Sequence, residues 1–133
     1  MAEIKVRTSS RSEMLDISSR TEALIPKGFK DGLCNLFCLH TTCALTVNEN
    51  ADPSVKSDIL GYLAKAVPQA EPLFSHSEGN SDSHIKTLMA GPSLTLPVRD
   101  GAFLLGRWQG VFLCEFDGPR ERTVAVTFIA AAS

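Results

Sequence analysis

Nothing in this chain of 133 residues is apolar over the roughly 20 consecutive positions that a membrane-spanning helix requires. An excess of basic charge is also missing: 13 Lys and Arg stand against 15 Asp and Glu, a formal net charge of −2. A dedicated nucleic-acid binder carries a basic footprint, so neither a membrane nor a nucleic acid is an expected partner. Residues 1–8 alternate polar and apolar side chains like a strand. They do not give the basic start and unbroken apolar core of a signal peptide, and the expected location is the cytoplasm. The four cysteines, Cys34, Cys38, Cys43 and Cys114, make no Cys-x-x-Cys pair, which leaves a zinc ribbon or thioredoxin-like centre unsupported. In a reducing compartment they are expected to be buried free thiols. No glycine-rich phosphate loop of the Walker or dinucleotide kind and no Gly-x-Ser-x-Gly elbow occurs, so those chemistries lack their motifs. Repeats and low-complexity tracts are absent, and a chain of this length is most simply one domain, residues 1–133.

What is present is enough for a packed core: 44% of residues are hydrophobic and 21% charged. Residues 3–8 and 13–17 read as short strands around a polar turn, and a short helix follows, with Ser18 or Ser19 as its cap and Pro26 and Gly28 ending it. Residues 33–39 are nearly continuously apolar and suit a central strand buried on both faces. A strand over 43–47 comes next. Asp52 and Pro53 open the longest helix as cap and first helical residue, and Val55, Ile59, Leu60, Leu63 and Val67 give it an apolar stripe up to Pro68. Residues 69–83 read as a long polar loop, the kind that is usually functional or mobile. A short helix over 84–89 is closed by Gly91-Pro92, and strands at 93–98, 102–105, 108–116 and 122–130 complete the chain, with turns at Asp100-Gly101 and Asp117-Gly118-Pro119. The predicted class is α+β, with largely antiparallel sheets packed against two main helices.

All three histidines fall in two polar segments. His40 follows the apolar run, in His40-Thr41-Thr42, and His76 and His84 bracket a stretch that also holds Glu78, Asn80 and Asp82. Neutral imidazole is the commonest ligand for zinc and related ions, and three such ligands with one open position make a catalytic zinc site. A divalent metal such as zinc, held by His40, His76 and His84, is therefore the expected cofactor. The competing reading of His40 is a histidine satisfied by a backbone carbonyl. That of the loop is a solvated segment whose Asp82 caps the following helix. Cys38, two positions before His40 on the same strand face, is a further conceivable ligand set against its reading as a buried thiol. Asn48-Glu49-Asn50 is a second polar knot, with Glu49 a candidate general base or part of an exposed turn. Gly106-Arg107-Trp108-Gln109-Gly110 is a third, where Arg107 could meet a phosphate or simply face solvent and Gln109 offers a two-way amide.

The block from His40 through Pro53 strongly resembles the signature of the secondary thiamine-phosphate synthase family, the YjbQ-type proteins. So do Ser83-His84-Ile85-Lys86, Gly91 through Val98, and Gly106 through Gly110, in family order and over nearly the whole chain. The resemblance implies a compact α+β subunit that assembles as a homotrimer, with sites near subunit contacts. It implies a weak activity joining a pyrimidine diphosphate to a thiazole phosphate. His40, His76 and His84 fall on the family's histidine positions, Glu49, Asn80 and Asp82 on its polar site positions, and Trp108 and Gln109 on its tryptophan–glutamine pair. Many relatives have threonine where this chain has Arg107. On this reading Glu49 and Asp82 are catalytic, orienting a histidine or moving a proton, and Thr41, Asn48, Asn80, Arg107, Trp108 and Gln109 contact a small phosphorylated metabolite. Two rival functions use the same residues: a metal-dependent phosphate-ester hydrolase, and a non-catalytic binder of a phosphorylated metabolite.

Overall fold

The computed structural model describes residues 1–132. Eight strands and three helices follow one another as β1 (Ala2–Arg7), β2 (Glu13–Asp16), α1 (Ser18–Glu22), β3 (Gly32–Cys38), β4 (Cys43–Glu49), α2 (Pro53–Ala66), α3 (Ser81–Ala90), β5 (Ser93–Arg99), β6 (Ala102–Phe103), β7 (Gln109–Glu115) and β8 (Glu121–Ala130). They form two antiparallel sheets, one in the order β1-β8-β3-β5-β6 and one in the order β2-β7-β4. The class is α+β, as the alternation of strand and helix patterns predicts.

Period-two patterning builds the core. Inward residues of the larger sheet (Ile4, Val6, Cys34, Leu36, Val98, Val124, Val126) meet Leu45, Val111 and Leu113 of the smaller one in a single buried cluster. The opposite face of the smaller sheet carries Ala44, Phe112 and Cys114, against which Ile59, Leu60 and Leu63 of α2 pack. Asp52 caps α2 as expected, its carboxylate accepting from the Ser54 N–H at 2.9 Å, with Pro53 first in the helix. The Asp100-Gly101 hairpin is also as predicted: both residues have positive φ, 51° and 76°, the requirement of a two-residue type I′ turn.

Several local readings give way to tertiary context. β3 is the central strand of its sheet but is buried on one face only. Cys34, Leu36 and Cys38 point into the core while Leu33 and Phe37 are exposed, because no element among the described residues covers the outer face of the larger sheet. The apolar stripe of α2 is only partly buried, with no residue of the helix fully inside. α1 lacks a side-chain cap: the Ser18 hydroxyl instead accepts from the Val111 N–H at 2.7 Å. α3 begins at Ser81, three residues before the predicted start, so the preceding loop is shorter than expected.

Strand register sets up the site. Arg7 pairs with Glu121 and Cys38 with Val124 in one sheet, and Cys43 with Glu115 and Glu115 with Glu13 in the other. Three of the connections that cross between the sheets, 8–12, 39–42 and 116–120, therefore lie at the same end of the molecule. Backbone released from both sheets leaves a concavity there, and the start of α3 closes over it. Asn80 Nδ2 donates to Asp117 Oδ2 at 2.7 Å, the Ser83 hydroxyl donates to the Phe116 carbonyl, and Arg11 reaches Asp82.

Candidate functional site

Beneath this end lies a fully buried ion pair, Arg122 with Glu115 (1% and 0% exposed). Arg122 Nε donates to Glu115 Oε1 at 2.8 Å and Nη2 to Oε2. The same pair holds all three crossings: Glu115 accepts from the Thr8 hydroxyl at 2.7 Å and the Asp117 N–H at 3.0 Å, and Arg122 donates to Thr42 Oγ1 at 2.8 Å. Burial pushes the Glu115 carboxyl upward, but the bonds from Arg122, Asp117 and Thr8 outweigh it and hold it below the usual carboxylate range. Gly118 is required at the third crossing, since a Cβ there would stand 2.4 Å from the Ser10 carbonyl oxygen.

Above the pair opens a cleft of about 470 Å³. His40, Thr41 and Thr42 line it from one crossing and Asp117 and Arg120 from another; His76, Glu78, Asn80 and His84 line it from the loop and α3. All three histidines thus share one cavity, as their sequence setting suggested. The His76 and His84 rings meet edge to face at 5.6 Å between centroids, and His76 Nε2 lies 3.9 Å from Glu78 Oε2.

His40 is fixed more tightly. Its Nε2 accepts the Thr123 N–H at 2.8 Å, so in the neutral ring the proton resides on Nδ1. Its partner is therefore a backbone donor, not the backbone carbonyl that sequence reasoning set against the metal reading. Burial, then the positive charges of Arg122 and Arg120, hold its pKa below the ordinary histidine value and keep it neutral. His40 is thereby a hydrogen-bond donor through Nδ1. Ligating a metal through Nδ1 would force the proton onto Nε2, against the Thr123 N–H. Among the described residues, no three His, Cys, Asp or Glu side chains lie close enough to hold an ion. The expected three-histidine cage is thus not assembled here; only the His76–His84 pair has two imidazoles side by side. Cys38 is no ligand either: its thiol donates to the Cys43 carbonyl at 3.3 Å in the core. All four cysteines are free and buried, as expected, and burial pushes the Cys34 thiol up to about 11 and Cys114 to about 12.

Asn80 lines the cleft with 6% exposure, and its Oδ1 has no hydrogen-bond partner while its Nδ2 is taken by Asp117. A buried carbonyl without a donor is costly, and this oxygen is itself closed off from solvent.

The remaining candidates are elsewhere. Asp82 does not line the cleft and does not cap α3. It is fully buried in the first turn, where Arg11 grips it with two bonds of 3.0 Å and Lys86 Nζ with one of 2.9 Å. Burial raises its pKa, but the bonds from Arg11 and Lys86 prevail and leave it below the usual value. This is the environment of a structural anchor tying α3 to the first crossing. Replacing Asp82 with Asn is expected to cost about 3 kcal/mol or more, the usual loss when one partner of a buried charge network is removed. The wild-type contribution is complete above the unfolded carboxyl value near pH ~4 and is lost as pH falls through the lower folded value. Denaturant titrations at neutral and acid pH check this, and turnover per folded molecule should not change.

Asn48, Glu49, Arg107, Trp108 and Gln109 gather at the opposite end of β4, where Asn48 pairs with Gly110 and Glu49 with Gln109. A seven-residue strand separates them from the cleft by about 20 Å. Their contacts are local: Glu49 Oε2 accepts from the Ala51 N–H, Gln109 Oε1 from the Gly106 N–H, and the Arg107 guanidinium stacks over Trp108 at 4.6 Å. The charged cleft residues that sequence reasoning missed are Asp117, Arg120 and Arg122. The segment 117–120 carries only a turn signal, and nothing local marks it as a wall of a site.

Comparison with known proteins agrees with this architecture. The chain is 45% identical over 126 residues to a UPF0047 protein of Methanocaldococcus jannaschii, covering 94% of this chain and 91% of that one. It is 42% identical over 121 residues to the UPF0047 protein YugU of Bacillus subtilis, covering 90% and 92%. Its fold matches the crystal structure of an uncharacterised YjbQ/UPF0047 family protein of Clostridium acetobutylicum with a TM-score of 0.93 at 41% identity, over 97% of this chain and 100% of the other. A conserved hypothetical protein of Thermus thermophilus gives 0.92 at 44% identity, with 97% and 100% covered. The family model described as "UPF0047 protein YjbQ-like" matches residues 2–131, and the chain belongs to that family.

Proposed function

We propose that the chain is a cytoplasmic enzyme acting on a small phosphorylated metabolite in the His40–His76–His84 cleft, by chemistry of the thiamine-phosphate-forming type. The observation that carries this reading is the shared wall. A neutral His40 fixed as an Nδ1 donor, the Thr41 hydroxyl and the Arg120 guanidinium face the same cavity as the His76–His84 pair. In that reaction the thiazole nitrogen attacks the pyrimidine's methylene carbon, and the bond to pyrophosphate breaks with its electron pair going to the departing oxygen. The His40 donor would hydrogen-bond that oxygen, and Arg120, already paired with Asp117 at 3.2 Å, would offer its remaining N–H groups to the charge that grows there. His76 or His84 would pass a proton to the oxygen.

A divalent ion, zinc being the natural candidate, belongs to this proposal only at the His76–His84 pair, and no step above depends on it. The homotrimer is likewise part of the proposal, and Asn48, Glu49, Trp108 and Gln109 of one subunit would be free to face a neighbour. A monomer in light scattering would count against it.

The test replaces each cleft histidine with alanine in folded protein and follows thiamine phosphate and pyrophosphate together. Losses of about 10²-fold or more are expected for His40 and His84. Undiminished coupling in all three variants would sink the mechanism. Phosphate release from phosphate esters without coupling would favour the hydrolase, and saturable binding without turnover the binding protein. Elemental analysis of the same proteins tests the ion: any bound metal should fall in His84→Ala and persist in His40→Ala.

A further inference from the structure

A second pocket, of about 560 Å³, adjoins the cleft and differs from it in chemistry. Leu73, Phe74 and Ile85 supply an apolar wall. His76 and His84 line both pockets, so the imidazole pair stands between an open pocket that joins Leu73, Phe74 and Ile85 with Ser75 and Ser81 and a polar cleft that holds His40, Thr41 and Arg120 together with Glu78 and Asp117. Each volume is in the range of small-ligand sites, about 300–1,000 Å³.

The segment bearing the apolar wall is tied into turns. The Phe74 N–H donates to the Glu71 carbonyl at 3.0 Å, the Gly79 N–H to the His76 carbonyl at 3.2 Å, and Gln69 Nε2 to the Gly79 carbonyl at 3.2 Å. Leu73 is nevertheless 88% exposed beside the pocket. A leucine held in water by an ordered turn forgoes its burial energy, unless an apolar group comes to it.

We infer that the two pockets form one bipartite site for an aromatic organic phosphate. The anionic group lies among His40, Thr41 and Arg120, the ring packs on Leu73, Phe74 and Ile85, and the linking bond passes the His76–His84 pair. This rests on the phosphate reading of the cleft. It goes beyond it in making Leu73 and Phe74 specificity-determining and in excluding wholly polar phosphates as preferred ligands. The shared imidazole pair carries the inference: a ligand whose anionic end lies beside His40 and whose body passes His76 and His84 meets the wall of Leu73, Phe74 and Ile85.

The experiment is calorimetric titration of the full chain with inorganic phosphate and with benzyl phosphate, for wild type, Leu73→Ser and Phe74→Ala. Benzyl phosphate should bind about tenfold more tightly than inorganic phosphate or better, the gain expected from burying one or two methylenes' worth of apolar surface. That gain should fall to about threefold or less in both variants while the affinity for inorganic phosphate stays unchanged, since the lost contact is apolar. Leu73, being exposed, can be replaced without disturbing the core. Equal affinities for the two probes in wild type, or a gain that survives both substitutions, overturns the bipartite site and leaves the cleft reading standing. Binding of neither probe overturns both.

Discussion

Replacing His40 with Gln is expected to leave a folded protein whose turnover falls by about 10²–10³-fold, the usual cost of removing one preorganised donor to a developing negative charge. The glutamine carbonyl can take the place of Nε2 and go on accepting the Thr123 N–H, but the Nδ1 donor is gone. His40→Asn should do the reverse. Its amide N–H₂ falls near Nδ1 and keeps a donor in the cleft, while the Thr123 N–H loses its acceptor, at a cost to stability of about 1 kcal/mol or more. Turnover and denaturant stability measured on both variants separate the two roles, because a merely structural histidine would put the larger activity loss in the asparagine variant. The pH dependence has a definite sign. His40 is held below its ordinary pKa by burial and by the nearby arginines, so near pH ~6 the unfolded chain binds more protons at this residue than the native one. Stability therefore rises with pH here, and falls from about pH 6.5 down to the folded pKa. Protonation places a proton on Nε2 and breaks the bond to Thr123, so activity should fall at the lower end of that interval, as pH reaches the folded pKa.

Glu115→Gln or Arg122→Met is expected to be the most destabilising single change of those considered, at about 3–5 kcal/mol. Whole-domain stability is about 5–15 kcal/mol, so melting should drop by roughly 10–20 °C. The size follows from burial and from the number of bonds served. Each partner is within 1% of complete burial, and each variant strands the opposite charge in the core. It also loosens bonds to Thr8, Thr42 and the Asp117 backbone, which hold the three sheet crossings. Glu115→Leu combined with Arg122→Met should recover much of the lost stability, since removing both charges relieves the desolvation cost. It should not recover activity, because Thr42 and the cleft floor lose their anchor. Thermal melts of the single and double variants check the first statement, and turnover in the folded double variant checks the second. Because Glu115 is held below the usual range, its contribution is complete above the unfolded carboxyl value near pH ~4.3 and is lost as pH falls through the lower folded value.

Much of the architecture was legible because it is written in local rules. Alternation marked the strands, Asp52-Pro53 marked the start of α2, and Asp100-Gly101 marked a turn whose two positive φ angles are now visible. The histidine-bearing segments could be named as site material from residue type alone, and all three histidines do line one cleft. What residue type could not supply was the partner of each group. His40 reads as a ligand until Thr123, 83 positions later, occupies Nε2. Asp82 reads as a catalytic acid or a cap until Arg11, 71 positions earlier, grips it. Glu115 and Arg122 look like ordinary charges at strand ends, and only the meeting of three crossings buries them. The separation of Glu49 from His40 follows from the intervening strand, whose rise per residue sets the distance between its ends. The sequence by itself determined the elements, the polar segments and the family. Tertiary structure alone decided which polar groups face the cleft and which are consumed beneath it, because hydrogen-bond partners and burial depend on chains brought together from distant positions.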